Sequence, residues 1–182
     1  MQKTNNIFLV GPMGAGKTTI GRGLAKLLNL TFYDSDHVIE ERAGTDISWL
    51  FDVEGDEGFR KRERQVIEEL TALHRIVLST GGGSILDEEN RQHLKARGLV
   101  VYLQTSLEQQ VERTSRNPHR RPLLKDTHIP SKVVALNKIR NPLYEEVADL
   151  FFRTDSTRPQ AVVSKIVRYI KKHELLDLNE VS

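Results

Sequence analysis

The sequence predicts an α/β fold, a three-layer α/β/α sandwich built around a five-stranded parallel sheet. Short apolar segments typical of buried strands alternate five times with segments of helical periodicity. The first apolar segment, residues 7–10, runs directly into a glycine-rich loop that a helix follows. The fourth, residues 99–103, is almost wholly apolar, as expected of a parallel strand covered on both faces.

The predicted strands are the short runs in which β-branched, aromatic and other apolar residues cluster, at residues 7–10, 30–33, 76–79, 99–103 and 150–154. Apolar residues at helical spacing predict helices from residue 17 and over residues 38–43, 47–53, 59–74, 87–97, 106–115, 131–140 and 160–176. Right-handed crossovers would join the strands in one parallel sheet.

Cap and breaker residues predict where several helices begin and end. Gly44 is expected to stop one helix, and Gly98 is expected in the left-handed C′ position of another. Asn141-Pro142 is expected to close the helix that begins at residue 131, because a proline removes a backbone donor. Residues 54–58 form a predicted charged turn, and Trp49 is expected in the core or in a pocket wall.

Length and composition indicate one domain over residues 1–182, with 38% hydrophobic and 29% charged residues. The absence of cysteine excludes disulfides and thiolate metal sites, which suits a reducing cytoplasm. No signal-peptide core and no apolar run near the roughly 20 residues of a membrane span occur, so no membrane association is expected. A formal charge of +2 is too small to predict nucleic-acid binding.

The glycine-rich loop at residues 11–19 has the spacing of a phosphate-binding loop, Gly, four residues, then Gly-Lys-Thr. Glycines let several backbone N–H groups point at one anion, and the following helix adds its positive N-terminal end. A chance match is the alternative, but the strand before and the helix after supply the required context. The loop therefore predicts binding of a nucleoside triphosphate, with the phosphates held by Gly14, Ala15, Gly16, Lys17, Thr18 and Thr19.

Two acidic residues, Asp34 and Asp36, follow the second predicted strand, at the sheet edge where open α/β sheets bind ligands. A turn or a helix cap is the alternative interpretation. Beside a phosphate loop, Asp34 becomes a candidate for the Mg²⁺ shell, together with the Thr18 hydroxyl. Asp36 is the candidate base for a substrate hydroxyl.

Arginines far from the phosphate loop indicate that the phosphate acceptor is itself an anion, because guanidinium groups pair well with carboxylates. Arg60 and Arg140 are the two candidates, and Glu63 is placed to align Arg60. A solvated helix face is the alternative for Arg60. Three glycines at residues 81–83 permit close approach of a ligand, or they form a flexible loop.

The basic segment at residues 116–124 carries two prolines and cannot be a continuous helix. In a phosphate-loop protein it suggests a lid over the phosphates, although a patch for acidic partners is the alternative. Together these features predict a small kinase acting on a compact hydroxy acid. The 30 to 40 or so residues between the second and third strands would form the acceptor pocket, since a protein substrate usually needs more surface.

Six motifs in this order resemble the shikimate kinase family over residues 6–169. They are Gly11-Pro12-Met13-Gly14-Ala15-Gly16-Lys17-Thr18-Thr19, Asp34-Ser35-Asp36, Gly58-Phe59-Arg60-Lys61-Arg62-Glu63, Thr80-Gly81-Gly82-Gly83, Arg121-Pro122-Leu123-Leu124 and Arg140-Asn141-Pro142-Leu143-Tyr144. The first motif is common to many NTPases, whereas the ordered set is specific to this family. The resemblance implies transfer of the ATP γ-phosphate to the 3-hydroxyl of shikimate, giving shikimate 3-phosphate for chorismate and aromatic amino acid biosynthesis.

The same resemblance implies a nucleoside-monophosphate-kinase-like P-loop fold and usually a monomer. It places an acceptor-binding region at about residues 34–63 and a mobile lid at about residues 113–125. On the acceptor side, it implies that Asp36 holds shikimate hydroxyls and acts as the base. Arg60 and Arg140 would clamp the shikimate carboxylate, and Gly82 and neighbouring backbone would touch the ring substituents.

On the donor side, the resemblance implies that Lys17 contacts the phosphates, that Thr18 ligates Mg²⁺ and that Asp34 reaches the metal through water. Arg121 would enter from the lid toward the phosphates. It lies beside Arg120, and the Pro-Leu-Leu that follows favours Arg121 as the one that reaches ATP. Arg113 would lie along the adenine, opposite Thr157, whose contact would be through backbone.

Two other functions fit parts of the sequence. A kinase of another small hydroxy acid, such as gluconate, would share the scaffold but not the trio of Asp36, Arg60 and Arg140. A non-catalytic nucleotide-binding module would not need the catalytic positions, and every one of them is filled here.

Overall fold

The computed structural model describes residues 4–115, 129–155 and 157–177. Its centre is a five-stranded sheet in the order β2-β3-β1-β4-β5. The strands are β1 (Ile7–Val10), β2 (Thr31–Asp34), β3 (Ile76–Ser79), β4 (Leu99–Gln104) and β5 (Leu150–Arg153). Every neighbouring pair is parallel. The predicted fold class is therefore confirmed.

Seven helices surround this sheet within the described residues, with a short 3₁₀ turn at Ser84–Leu86. They are α1 (Lys17–Leu28), α2 (Ser35–Ala43), α3 (Ile47–Thr71), α4 (Glu88–Arg97), α5 (Leu107–Ser115), α6 (Ile129–Val147) and α7 (Pro159–Lys172). None of these helices is both long enough and apolar enough to cross a membrane, among the residues that the structure describes.

Two apolar cores lie on opposite faces of the sheet, because successive strand residues point to opposite sides. Ile7 and Leu9 of β1 belong to one core, which α1 and α7 cover with Leu24 and Ile166. The neighbouring Phe8 and Val10 belong to the other core, which α2, α3, α4 and α6 help to cover. All four β1 side chains are fully buried. This arrangement is the predicted three-layer sandwich.

Helix α6 does not end at Asn141-Pro142, so that prediction is wrong. The helix runs through Pro142 to Val147. An interior proline removes one backbone hydrogen bond, at a cost of about 3 kcal/mol in an isolated helix. Beyond the proline, Tyr144 and Val147 are both buried in the core. Their burial offsets the lost bond, and it keeps Tyr144 on the same helix face as Arg140.

Other boundaries differ from the prediction as well, such as the end of α7, which is Lys172 and not residue 176. Helix α2 begins at Ser35, not at residue 38, because the Asp34 carboxylate caps it. The predicted turn at residues 54–58 is reduced to one non-helical residue inside α3, Gly55, with φ 71° and ψ −176°. Gly98 adopts extended backbone (φ −166°) and is not a left-handed C′ residue. A Cβ on Gly98 would lie 2.4 Å from the Phe8 ring, so close packing explains that glycine.

The prediction for Trp49 is also wrong. The side chain is about half exposed, at 51%, and is neither in a core nor in the wall of the main cleft. It lies one turn before Val53, which is 60% exposed, on the solvent side of α3. The apolar contacts of this part of α3 are made instead by Leu50 and Phe51.

Candidate active site

The carboxyl ends of β1, β2 and β3 open into a cleft of about 920 Å³. Ligands of open parallel sheets bind at this edge, because the loops that follow the strands meet there. Its lining includes nine of the residues that carry the functional argument, namely Lys17, Thr18, Asp34, Asp36, Arg60, Glu63, Gly82, Arg113 and Arg140. A second cleft of about 700 Å³ lies at the opposite ends of the strands, beside Asn6 and Asp149, and contains none of them.

The phosphate loop has the backbone that its sequence predicts. Gly11, Gly14 and Gly16 all have positive φ, of 144°, 78° and 87°. Gly16 is the N-cap of α1 and supplies no side-chain acceptor, so the first turn of the helix presents its N–H groups to the cleft. The Lys17 ammonium donates to the carbonyl oxygens of Gly11 (2.7 Å) and Pro12 (2.9 Å). The loop, the helix end and the ammonium together form an anion site.

Asp34 both caps a helix and faces the phosphate loop. Its Oδ1 accepts from the backbone N–H of Asp36 at 3.2 Å, and its Oδ2 accepts from the Thr18 hydroxyl at 2.7 Å. The cap and the metal interpretations are therefore compatible, because each uses a different carboxylate oxygen. Mg²⁺ prefers oxygen ligands, and it is usually held by one or two protein groups together with phosphates and water.

Thr18 and Asp34 fit that donor set. In the part of the chain that the structure describes, no three His, Asp or Glu side chains are grouped to hold a metal ion by themselves. A metal bound here would therefore take most of its ligands from substrate phosphates and water.

The pKa of the Asp36 carboxyl is raised to about 7, first by its removal from water and then by the nearby carboxylates of Glu63 and Asp34. The Lys17 ammonium acts in the opposite direction. Asp36 lies in the first turn of α2, partly exposed to the cleft. A carboxyl group with a pKa near neutrality is suited to take a proton from a hydroxyl group.

Arg60 is held from several sides on the second part of α3. Its Nη1 donates to Glu63 Oε2 at 2.6 Å, and its Nε lies 3.4 Å from Asp56 Oδ1. The guanidinium also lies 5.3 Å from the ring centre of Phe59 and 5.9 Å from that of Phe51. Burial raises the pKa of Glu63, while Arg60 and Arg140 lower it.

The glycine loop after β3 is the meeting point of the predicted acceptor residues. A Cβ on Gly81 would lie 2.6 Å from Asp36 Oδ1, and one on Gly83 would lie 2.6 Å from both terminal nitrogens of Arg60. At Gly82, the corresponding distance to Arg140 Nη1 is 3.7 Å. Residues from α2, α3 and α6 thus converge on three consecutive glycines.

Arg140 comes to this loop from α6 and is only 4% exposed. Burial lowers the pKa of its guanidinium, while the phenol of Tyr144, one turn later on α6, acts in the opposite direction. A buried guanidinium beside backbone and a phenol is well prepared to receive a carboxylate, because a matched anion would compensate its desolvation.

On the nucleotide side, Arg113 bridges two loops. Its Nη1 donates to the carbonyl oxygen of Gly14 at 2.7 Å, and its Nη2 donates to that of Thr154 at 3.3 Å and to the Gln109 amide oxygen. Thr157 donates to the carbonyl oxygen of Asp155 at 2.9 Å and does not line the cleft. Arg120 and Arg121 fall outside the described residues, as does most of the predicted lid.

Some of the residues around the site were given no individual role from the sequence. Gly81 and Gly83, more than Gly82, are the glycines that side chains approach most closely. Tyr144 was part of the motif that begins at Arg140, but it was given no role, and the helix was expected to end before it. The signal was available, since Tyr144 follows Arg140 by four residues, one turn of a continuous helix.

Comparison with known proteins shows which family this chain resembles. The family model described as shikimate kinase matches residues 13–171. The chain belongs to the shikimate kinase family. A shikimate kinase of Haemophilus influenzae (strain PittEE) is 58% identical over 171 residues, which are 93% of this chain and 94% of that protein. One from Legionella pneumophila (strain Corby) is 56% identical over 168 residues, 92% of this chain and 95% of that protein.

Solved structures give the same result for the fold. The shikimate kinase from Acinetobacter baumannii in complex with shikimate is 49% identical, with a TM-score of 0.91 over 94% of this chain and 96% of that one. The shikimate kinase from Aquifex aeolicus is 32% identical, with a TM-score of 0.77 over 93% of this chain and 98% of that one. This chain is therefore an ATP-dependent phosphotransferase with a P-loop kinase fold.

Proposed function

We propose that this protein transfers the γ-phosphate of ATP to the 3-hydroxyl of shikimate, giving shikimate 3-phosphate in chorismate and aromatic amino acid biosynthesis. The observation that carries the proposal is the convergence of Asp36, Arg60 and Arg140 on the glycine loop, beside the phosphate loop. One base and two guanidinium groups around a small cleft match a compact hydroxy acid with one carboxylate.

On the acceptor side, Arg60 and Arg140 would pair with the shikimate carboxylate, and the backbone around Gly82 would contact the ring substituents. This fixes the ring so that its 3-hydroxyl faces Asp36. Glu63 supports the clamp, because its carboxylate holds Arg60 at 2.6 Å. Desolvation of these charges strengthens their interaction with the bound anion.

On the donor side, the backbone of Gly14, Ala15 and Gly16 and the side chains of Lys17 and Thr19 would bind the ATP phosphates. Mg²⁺, when bound, would neutralise charge on these phosphates, with Thr18 as ligand and Asp34 acting through water. Arg113 and Thr157 would border the adenine, and Arg121 would reach the phosphates from the lid.

The chemical step requires few groups. The Asp36 carboxylate accepts the proton of the acceptor hydroxyl while the new O–P bond forms and ADP leaves with the electrons of the broken bond. Lys17 offsets negative charge that grows on the phosphate oxygens in the transition state. Positioning of the two substrates supplies most of the remaining acceleration.

We further propose a single kinase domain over residues 1–182, with the acceptor-binding region at about 34–63 and the lid at about 113–125. Both cores share one sheet, which supports a single domain. A monomer in the cytoplasm, with no nucleic-acid or membrane partner, completes the proposal. The chain has no cysteine, which suits a reducing compartment.

A coupled assay with ATP and Mg²⁺ tests the function by comparing shikimate, quinate and gluconate as acceptors. The expected result is rapid ADP formation with shikimate and little with the other two. Equal rates with all three acceptors would contradict the acceptor assignment. Tight ATP binding without phosphorylation of any acceptor would favour a nucleotide-binding module instead.

A further inference from the structure

Tyr144 is a fully buried residue that touches the glycine loop of the acceptor site without lining the cleft. Its hydroxyl donates to the carbonyl oxygen of Gly82, and its side chain follows that of Arg140 by one turn of α6. One hydroxyl group therefore joins the turn of α6 next to Arg140 to the glycine loop that follows β3.

The core holds the Tyr144 ring in place. The ring centre lies 5.1 Å from that of Tyr102, and the side chain belongs to the core between α6 and the sheet. Burial raises the pKa of the phenol well above its ordinary value, so the hydroxyl keeps its proton and its ability to donate. The position of the oxygen is thus set by packing and does not follow the ligand.

The Arg140 guanidinium and the glycine loop are the proposed walls for one substrate. Arg140 Nη1 lies 3.7 Å from the point where a Cβ on Gly82 would sit, so guanidinium and loop are in van der Waals reach. A bidentate contact with a carboxylate requires one orientation of the guanidinium plane, so the distance between Arg140 and the loop decides whether the acceptor fits.

We propose that Tyr144 is a positioning residue, whose hydroxyl ties the glycine loop to α6, holds the loop at a fixed distance from the Arg140 guanidinium and thereby sets where the acceptor carboxylate binds. This inference rests on the proposed function, because it concerns the acceptor of that reaction. Tyr144 itself touches neither substrate. Its effect should therefore appear in acceptor binding and leave nucleotide binding unchanged.

The variant Tyr144→Phe removes the hydrogen bond to Gly82 and keeps the ring. We expect the KM for shikimate to rise about 10- to 100-fold, the range for leaving a buried polar partner without its hydrogen bond. The KM for ATP should stay within about twofold of the wild-type value, because a twofold change is smaller than the loss of even one weak contact would cause. Isothermal titration with shikimate should give the same loss in affinity.

Tyr102→Phe is the matched control. It removes one hydroxyl from the same aromatic pair, but that hydroxyl contacts only Asn141 Oδ1, at 3.4 Å, among the hydrogen bonds of the described residues. Its KM for shikimate should be unchanged. An equal rise in both variants would mean that loosening of the aromatic core, and not the Tyr144 hydroxyl, weakens binding, and the inference would be overturned.

A readout specific to Arg140 separates positioning from general damage. With the carboxamide of shikimate, which lacks the anionic charge, the penalty for Tyr144→Phe should be much smaller than with shikimate. In the Arg140→Lys background the penalty should likewise shrink, because the orientation that Tyr144 preserves is already lost. Full additivity of the two substitutions would contradict the inference.

Failure of this inference can be told apart from failure of the proposed function. If the wild-type protein does not phosphorylate shikimate, the function is wrong, whatever the variants do. If the wild type is active and Tyr144→Phe has a normal KM for shikimate, only the inference is wrong. Should Tyr144→Phe not fold, 3-fluorotyrosine at position 144 keeps the hydroxyl and makes it a stronger donor to Gly82; a changed KM for shikimate with an unchanged KM for ATP supports the inference, and an unchanged KM for shikimate overturns it.

Discussion

The carboxyl group of Asp36 has to lose its proton before it can act as a base, and its surroundings oppose that loss. Removal from water and the neighbouring carboxylates of Glu63 and Asp34 raise its pKa to about 7. Of the groups that act on this pKa, the Lys17 ammonium alone lowers it and favours the charged carboxylate. Asp36 is therefore a stronger base than an ordinary aspartate, but below neutral pH most of it is protonated and cannot accept a proton.

This environment predicts a pH dependence. The value of kcat/KM for shikimate should rise about tenfold per pH unit below about pH 7 and level off above it, because only the ionised Asp36 accepts a proton. Steady-state kinetics between pH 5.5 and 8.5, in roughly constant ionic strength, measure the profile. A flat profile across this interval would contradict the assignment of Asp36 as base.

The proposed contact between Arg60 and the shikimate carboxylate gives a second prediction for a single residue. Arg60→Lys should raise the KM for shikimate about tenfold with a smaller change in kcat, since lysine keeps the charge but lacks the planar fork. Arg62→Lys, two residues away on an exposed side chain paired with Glu54, is the control and should change neither constant. An unaltered acceptor KM in Arg60→Lys would place Arg60 outside the pocket.

At the level of elements, the fold depends on how closely helices and loops approach the sheet. The connection from α4 to β4 passes Gly98, whose missing side chain leaves room for the fully buried Phe8 ring. A Cβ there would lie 2.4 to 2.8 Å from three ring carbons. The backbone at Gly98 is extended, so close packing alone requires the glycine.

Gly98→Ala should therefore lower the free energy of unfolding by about 1–3 kcal/mol, the usual range for overpacking a core. Urea unfolding followed by circular dichroism measures the change. Phe8→Leu replaces the ring by a smaller side chain and makes space for the added methyl group. The double variant should therefore lose less stability than the sum of the two single losses. Additive losses would show that the close contact with Phe8 is not the cause.

Helix α6 illustrates how one element connects core and site. Because it continues past Pro142, Arg140 and Tyr144 lie one turn apart on the same face. Arg140 reaches the cleft, while Tyr144 is anchored in the core behind it. The helix can therefore transmit the rigidity of the core to the residue that is proposed to bind the acceptor.

For the whole molecule, the site is a source of instability. A carboxyl group whose pKa is about 7 when folded and 3.8 in its reference state binds its proton more tightly in the folded protein. Its contribution to stability is thus fully present below about pH 4 and is lost as the pH rises through 7. Above pH 7, the folded state has to hold Asp36 charged among other carboxylates.

Asp36→Asn should consequently stabilise the protein while inactivating it. At pH 8 we expect a gain of about 1–4 kcal/mol in unfolding free energy, which shrinks as the pH falls toward about 4. Turnover should drop by roughly two to four orders of magnitude while ATP binding persists. Urea unfolding at several pH values and a coupled assay measure the two effects.

Glu57→Gln, which removes an exposed carboxylate from α3, is the control and should alter neither stability nor turnover. A destabilised Asp36→Asn at pH 8 would contradict the raised pKa of Asp36, and near-normal turnover would remove Asp36 from the chemistry.

The sequence alone determined the fold class, the order of the strands along the chain and the phosphate loop. These follow from local signals: apolar runs, helical periodicity and a glycine spacing that permits one backbone shape. It also indicated Asp36, Arg60 and Arg140, because each residue type suits a defined task in phosphate transfer to an acid.

Only the tertiary structure decided how these residues meet. Packing against the core carries α6 through Pro142, where local preference alone predicts an end, and so brings Tyr144 beneath Arg140. The pKa of Asp36 likewise depends on Glu63, which is 27 positions away in the sequence but lies with it beside Gly81 in the folded protein. Burial and charge act through space, so a pattern along the chain carries little information about either.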